Sequence, residues 1–115
     1  DLADVGLSRQ KIEYIRSAAS HFLEDDLSIE KFSDMSDEEI IDELTDIHGV
    51  GDWTAKMYMI FVLGREDVFP VEDLGIRNAM EGLYGLESRS EMRKKAEEWR
   101  PYRSIASRYL WKSVD

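Results

Sequence analysis

The sequence predicts an all-α protein, a single helical bundle organised around one tight hairpin between two helices. Three observations carry this expectation. Apolar residues recur every three to four positions through most of the chain, which is the spacing of one helix face. Serine, aspartate or proline heads most of these runs, where helix-starting chemistry belongs. Strand-like alternation is scarce, and no repeat or linker divides the 115 residues, so one domain with one modest core is expected.

Ser8 is placed to cap a helix reaching about Leu23, with Ile12, Ile15, Ala19 and Phe22 on one face. The acids Glu24-Asp25-Asp26 end it, and a short helical turn follows from Ile29 to Phe32. Ser36 and Glu39 have capping-box spacing, each able to bond the other's backbone N–H. They open a helix that carries Ile40, Ile41 and Leu44 and reaches Leu44 or Thr45. The turn Asp46 to Gly51 leads into a strongly apolar helix from about Asp52 to Leu63, which Gly64 stops. Phe69 precedes Pro70, so Val68-Phe69-Pro70 must be extended or irregular. Asp73 caps the next helix, with Ile76, Ala79, Met80 and Leu83 along it. Ser88 or Ser90 starts another that ends near Trp99, and Pro101 at a first helical position opens the last, through Trp111.

A hydrophobic content of 43% suits a folded globule. The chain has no cysteine, which excludes disulfides, zinc–thiolate sites and thiolate-held iron–sulfur clusters. No signal peptide or membrane-length apolar run is found, so a cytoplasmic protein without membrane association is expected, working as a monomer. The net charge of -10 opposes nucleic-acid binding at first sight. The acid is unevenly placed, however. Residues 1–43 hold 13 acidic and 4 basic side chains, whereas residues 44–112 hold 11 of each. The excess lies outside the segment that matters below, and residues 24–43 read as a solvated acidic surface.

Gly49-Val50-Gly51 stands between two helices only a few residues apart. Glycine there permits positive φ and lets another backbone approach closely. The amides after it begin a helix, and a helix N-terminus is a ready anion site. A phosphate held this way needs no lysine, which suits an acidic chain. Taken alone, the two glycines fit a tight helix–helix connection at least as well.

The wider pattern is more specific. Leu44-x-x-Ile47-x-Gly49-Val50-Gly51-x-Trp53-Thr54-Ala55 resembles the helix-hairpin-helix of the DNA glycosylase superfamily, and is most similar to the 3-methyladenine DNA glycosylase II family. Gly64-Arg65-x-Asp67-Val68-Phe69-Pro70-x-x-Asp73-Leu74-Gly75-Ile76-Arg77 resembles the catalytic loop of the same family. Ala96-Glu97-x-Trp99-Arg100-Pro101-Tyr102-Arg103-Ser104-x-Ala106 and Leu7-Ser8-Arg9-Gln10-Lys11-x-x-Tyr14-Ile15 resemble two further blocks. The four stand in order and cover nearly the whole chain.

The resemblance implies a chemistry. A damaged base is flipped from duplex DNA into a pocket and its glycosidic bond is broken. Positive charge then builds on the sugar, as in glycoside hydrolysis, and a nearby carboxylate can stabilise it and orient water. The family's catalytic aspartate falls on Asp73, which by local pattern alone is an N-cap; the two roles are compatible. Neighbouring Glu72 reads as a solvated loop acid. Relatives that also cut the strand carry a nucleophilic lysine where this chain has Trp53, so a monofunctional enzyme leaving an abasic site is implied. Trp53 and Trp111 fall where the family places aromatic walls of the base pocket, and Met57 stands where some relatives have tyrosine. Electron-rich rings suit a cationic alkylated base. Trp99 reads as core.

Duplex DNA is thus the implied partner, gripped by Gly49, Val50 and Gly51, with His48, Thr54, Arg77 and Arg103 as further candidate contacts. His48 reads as an exposed loop residue. Carbonyls of Thr45, Ile47 and Gly49 could ring a monovalent cation, Na+ or K+, bridging to a phosphate; no other cofactor is expected. The resemblance finds no counterpart for the family's preceding helices with their glutamine-rich motif and wedge, so residues 1–115 read as the domain without its N-terminal helices. Two other readings stand beside the enzyme: a non-catalytic helix-hairpin-helix module that only grips DNA, and an acidic protein-interaction bundle.

Overall fold

The computed structural model describes Glu13 and residues 29–114, and no strand occurs among the described residues. The helices are α1 (Ile29–Phe32), α2 (Asp37–Thr45), α3 (Asp52–Phe61), α4 (Leu74–Tyr84), α5 (Arg89–Ala96) and α6 (Arg103–Ser113), with a 3-10 turn at Glu97–Trp99. The helix expected from Ser8 to Leu23 lies outside the described residues.

Local chemistry sets the starts. Ser36 Oγ accepts from the Glu39 amide at 3.2 Å while Glu39 returns a bond to the Ser36 N–H at 3.0 Å, so α2 begins on a complete capping box. Ser88 and Glu91 repeat the device for α5, which is why the helix starts from Ser88 and not from Ser90. α2 turns Ile40 and Leu44 inward, one turn apart.

α3 is the central element. Ala55, Met57, Tyr58, Met59 and Ile60 are all buried, so the core wraps it on most sides. α2 packs on α3, α4 packs on α6, and Phe32 of α1 meets Tyr58 edge-on with ring centroids 6.5 Å apart. α3 ends two residues before the expected Leu63. Gly64 adopts φ +68°, the Leu63 amide bonds Tyr58 O at 3.1 Å and the Arg65 amide bonds Met59 O at 2.9 Å. The last two expected residues therefore form the C-terminal cap itself.

The segment 64–73 is irregular, as Pro70 requires, yet Val68, Phe69 and Val71 are buried. Ser104 of α6 fastens it: Ser104 Oγ donates to Arg65 O at 2.7 Å and accepts from the Val68 amide at 2.9 Å. Trp99 is half-buried, with its ring 6.4 Å from Phe69 and 6.0 Å from Tyr84.

The last helix departs from expectation. Pro101 is not its first residue; a cis Arg100–Pro101 bond precedes it, and α6 begins at Arg103. The start is fixed by acceptors from the loop. Asp67 Oδ1 takes the Arg103 amide at 3.2 Å and Glu66 O takes the Ser104 amide at 2.9 Å. A helix begins where its first free N–H groups find partners, and here those partners are distant in sequence.

Asp67 also pairs with the Arg103 guanidinium at 2.8 and 3.2 Å. Those bonds hold its carboxyl below the ordinary aspartate value of 3.8. A lowered folded pKa makes the pair stabilising above the ordinary value, and the benefit is lost as pH falls through the folded one. Asp67→Asn should therefore lower stability by about 1–2 kcal/mol near neutral pH. Urea unfolding of both proteins should show the difference vanish at acid pH, where Asp67 is protonated.

Candidate active site

Three helices converge on one buried carboxylate. Asp73 is 1% exposed and caps α4, its Oδ2 accepting from the Ile76 amide at 3.1 Å. Trp53, at the first turn of α3, donates its indole N–H to Oδ1 at 2.8 Å. Trp111, on α6, donates to Oδ2 at 2.7 Å. Two residues fifty-eight positions apart thus meet on the acid that the sequence singled out. Among the described residues three N–H donors meet at the carboxyl, which suits its ionised, acceptor-only form.

The loop under Asp73 is held from several sides. Arg77 reaches back to Val71 O at 3.2 Å and Glu72 O at 2.8 Å. Lys56 approaches the two Glu72 carboxylate oxygens at 2.9 and 3.0 Å and Phe69 O at 3.3 Å. Glu72 is thus a largely buried ion-pair partner, with 15% side-chain exposure, rather than a solvated loop acid. The reason is Lys56, one helical turn beyond Trp53, which reaches across to it.

Other candidate residues are dispersed. Met57 lies in the core at 0% exposure. Trp111 is 1% exposed, its ring beside Phe61 at 5.5 Å, and Arg108 stands 5.6 Å over the other ring of that pair, Phe61. Arg103 is engaged by Asp67 and Arg77 by the loop carbonyls. His48, Gly49 and Gly51 are exposed on the hairpin, Val50 is half-buried and Thr54 is 7% exposed. Because α3 starts at Asp52, hairpin and carboxylate share its first turn, through Trp53.

Gly49 has φ +85°, which only glycine adopts without strain, and a C-terminal turn of α2 followed by an abrupt reversal requires it. Gly51 is different: its φ is -96° and a Cβ there would meet nothing within 4 Å. Among the described residues, neither backbone nor packing demands glycine at that position. Among the described residues, the amides of Gly49, Gly51 and Asp52 donate to no backbone oxygen.

Residues 1–101 match the family described as HhH-GPD superfamily base excision DNA repair protein. The chain belongs to this superfamily. An HhH-GPD relative in Schizosaccharomyces pombe, the alkylbase DNA glycosidase-like protein mag2, is 37% identical over 96% of this chain and 54% of its own. A solved DNA-3-methyladenine glycosidase from Bacillus halodurans superposes with a TM-score of 0.71 at 37% identity, covering 95% of this chain and 52% of the other. The S. pombe 3-methyladenine DNA glycosylase Mag1, solved in complex with abasic DNA, gives 0.70 at 38% identity over 93% and 54%. The chain spans about half the length of the curated relatives it matches.

Sequence reasoning missed the role of Gly75. A Cβ there would stand 3.0 Å from Asp73 Oδ2 and 3.2 Å from Trp111 Cδ1. Its place two residues after the cap was visible, but the ring that fills the space comes from α6. Alanine would gain helix propensity yet must displace a hydrogen-bonded oxygen or a buried ring. Gly75→Ala should therefore be net destabilising by about 1–2 kcal/mol, read as a lower midpoint in thermal unfolding.

Proposed function

We propose that the chain carries the catalytic side of a monofunctional DNA glycosylase, which hydrolyses the N-glycosidic bond of alkylated, 3-methyladenine-like bases in duplex DNA. The observation that carries this is the buried Asp73 carboxylate with both oxygens held by N–H donors. Breaking the bond leaves cationic sugar, and a preorganised anion beside it stabilises that charge without rearranging. The same carboxylate orients the water that completes hydrolysis. Base flipping brings the sugar to it.

Strand cutting would need an amine nucleophile, and position 53 offers an indole. Lys56, the neighbouring candidate, is held against Glu72 and Phe69 O. Base release leaving an intact strand with an abasic site follows.

Duplex backbone is gripped by the hairpin. Gly51 lies at an exposed helix start with open space, among the described residues, where a Cβ would go, so we read the demand for glycine as external. A phosphate approaching the Gly49, Gly51 and Asp52 amides supplies it. A monovalent cation held by carbonyls of the same turn is part of the proposal. Among the described residues the Thr45 and Gly49 carbonyls accept no backbone N–H, and Ile47 O accepts one from Val50 at 3.0 Å, leaving a lone pair. Na+ or K+ held by these oxygens would add positive charge near the phosphate. The protein acts as a cytoplasmic monomer.

Incubation with duplex DNA containing an alkylated purine should liberate free base, and Asp73→Asn should slow release at least about 100-fold. Release that survives the substitution would refute the role of Asp73, and strand breaks without alkali would refute monofunctionality. Gly51→Val should keep the fold, costing about 1 kcal/mol as a poorer cap. It should weaken duplex affinity about tenfold by crowding the phosphate, so unchanged affinity in a gel-shift titration counts against the hairpin grip.

A further inference from the structure

A carboxylate swings about its terminal bond unless both oxygens are held. A donor on one side fixes a point, and donors on both sides fix a plane. Trp53 holds Oδ1 at 2.8 Å, while Trp111 and the Ile76 amide hold Oδ2 at 2.7 and 3.1 Å. An indole is rigid, so its N–H is placed as accurately as the helix that carries it. Trp111 is 1% exposed with Phe61 against its ring, so what it presents to Asp73 is an edge. Gly75 provides the gap, since a Cβ there would lie 3.0 Å from Oδ2 and 3.4 Å from the Trp111 nitrogen.

We propose that Trp53 and Trp111 are positioning residues, setting the plane of the Asp73 carboxylate through their N–H groups, with Gly75 as the opening that lets Trp111 reach it. The resemblance gives both tryptophans as walls for the base, a role for ring faces and not for ring nitrogens. Trp111 also lies beyond the segment 1–101 that matches the superfamily, so nothing in that match assigns it. The inference rests on Asp73 being the reacting carboxylate. It makes the aim of that carboxylate a property of three helices at once: α3, α4 and α6. A preorganised group loses its advantage when its direction wanders by even a few tenths of an ångström.

The test replaces each indole by its benzothienyl analogue, in which sulfur takes the place of N–H and the two-ring shape is kept. Single-turnover base release from alkylated duplex should slow about 10- to 100-fold, the rate equivalent of one hydrogen bond to a charged group. Affinity for duplex carrying an abasic site should change less than about threefold, because the ring faces remain. An unchanged rate in both analogues overturns the proposal. Rate and affinity falling together also overturn it, since a lost pocket wall or a damaged fold would do that.

A second readout is independent of activity. In proton–nitrogen NMR spectra, Asp73→Asn should shift the indole N–H signals of Trp53 and Trp111 and leave that of Trp99, packed on Phe69 and Tyr84, in place. Signals that ignore the substitution overturn the clamp even in an active enzyme. A chain that releases no base while both signals respond overturns the catalytic reading, and the positioning role with it.

Discussion

A carboxyl group removed from water must be surrounded by donors, or the fold loses several kcal/mol in desolvation. Among the described residues, Asp73 meets that constraint with one backbone and two indole N–H groups, drawn from α4, α3 and α6. Much of the architecture follows from bringing those donors to one point. α3 must start close enough for Trp53 to reach Oδ1, which ties the position of the hairpin to the acid. α6 must lie along α4 closely enough for Trp111 to reach Oδ2, which a small residue at position 75 allows. Losing any one donor would leave a buried charge less well matched, so the three contacts are coupled and not additive.

The loop between α3 and α4 shows how an irregular segment becomes a rigid mount. Several of its carbonyls and amides are met by side chains from α3, α4 and α6. Ser104 joins Arg65 to Val68, Arg77 takes Val71 and Glu72, and Lys56 takes Phe69. Such a segment has little to gain by moving, because each displacement would strand a buried polar group. Charged residues that look from a distance like candidate phosphate ligands thereby become internal fasteners. Arg103 is the clearest case, its fork closed on Asp67.

Much of this was legible in the chain. Helix starts at Ser36, Asp73 and Ser88 are local signals, two of them confirmed by a reciprocal glutamate three residues on. The positive φ of Gly49 and Gly64 follows from glycine after a helix. Asp73 was visible as a cap, and by resemblance as the acid. What local pattern could not reveal were pairings between distant segments. The start of α6 depends on Asp67 and Glu66, so Pro101 misplaced it by two residues. Glu72 looked solvated because nothing nearby in sequence announces Lys56 as its partner. Trp111 read as a ring, and its nitrogen mattered; only the packing of α6 on α4 could tell the two apart.

The distance along the chain between Asp73 and Trp111 has a consequence for folding. The bond between Trp111 and Asp73 cannot form until the intervening helices have docked, because the loop it closes is long and its ordering costs entropy. Asp73 can cap its own helix early through Oδ2, but Oδ1 is held only once α3 docks, and Oδ2 gains its indole donor only when α6 settles. A half-folded chain would therefore own the acid without aiming it. Any chemistry that depends on that aim is in this way withheld until assembly is complete.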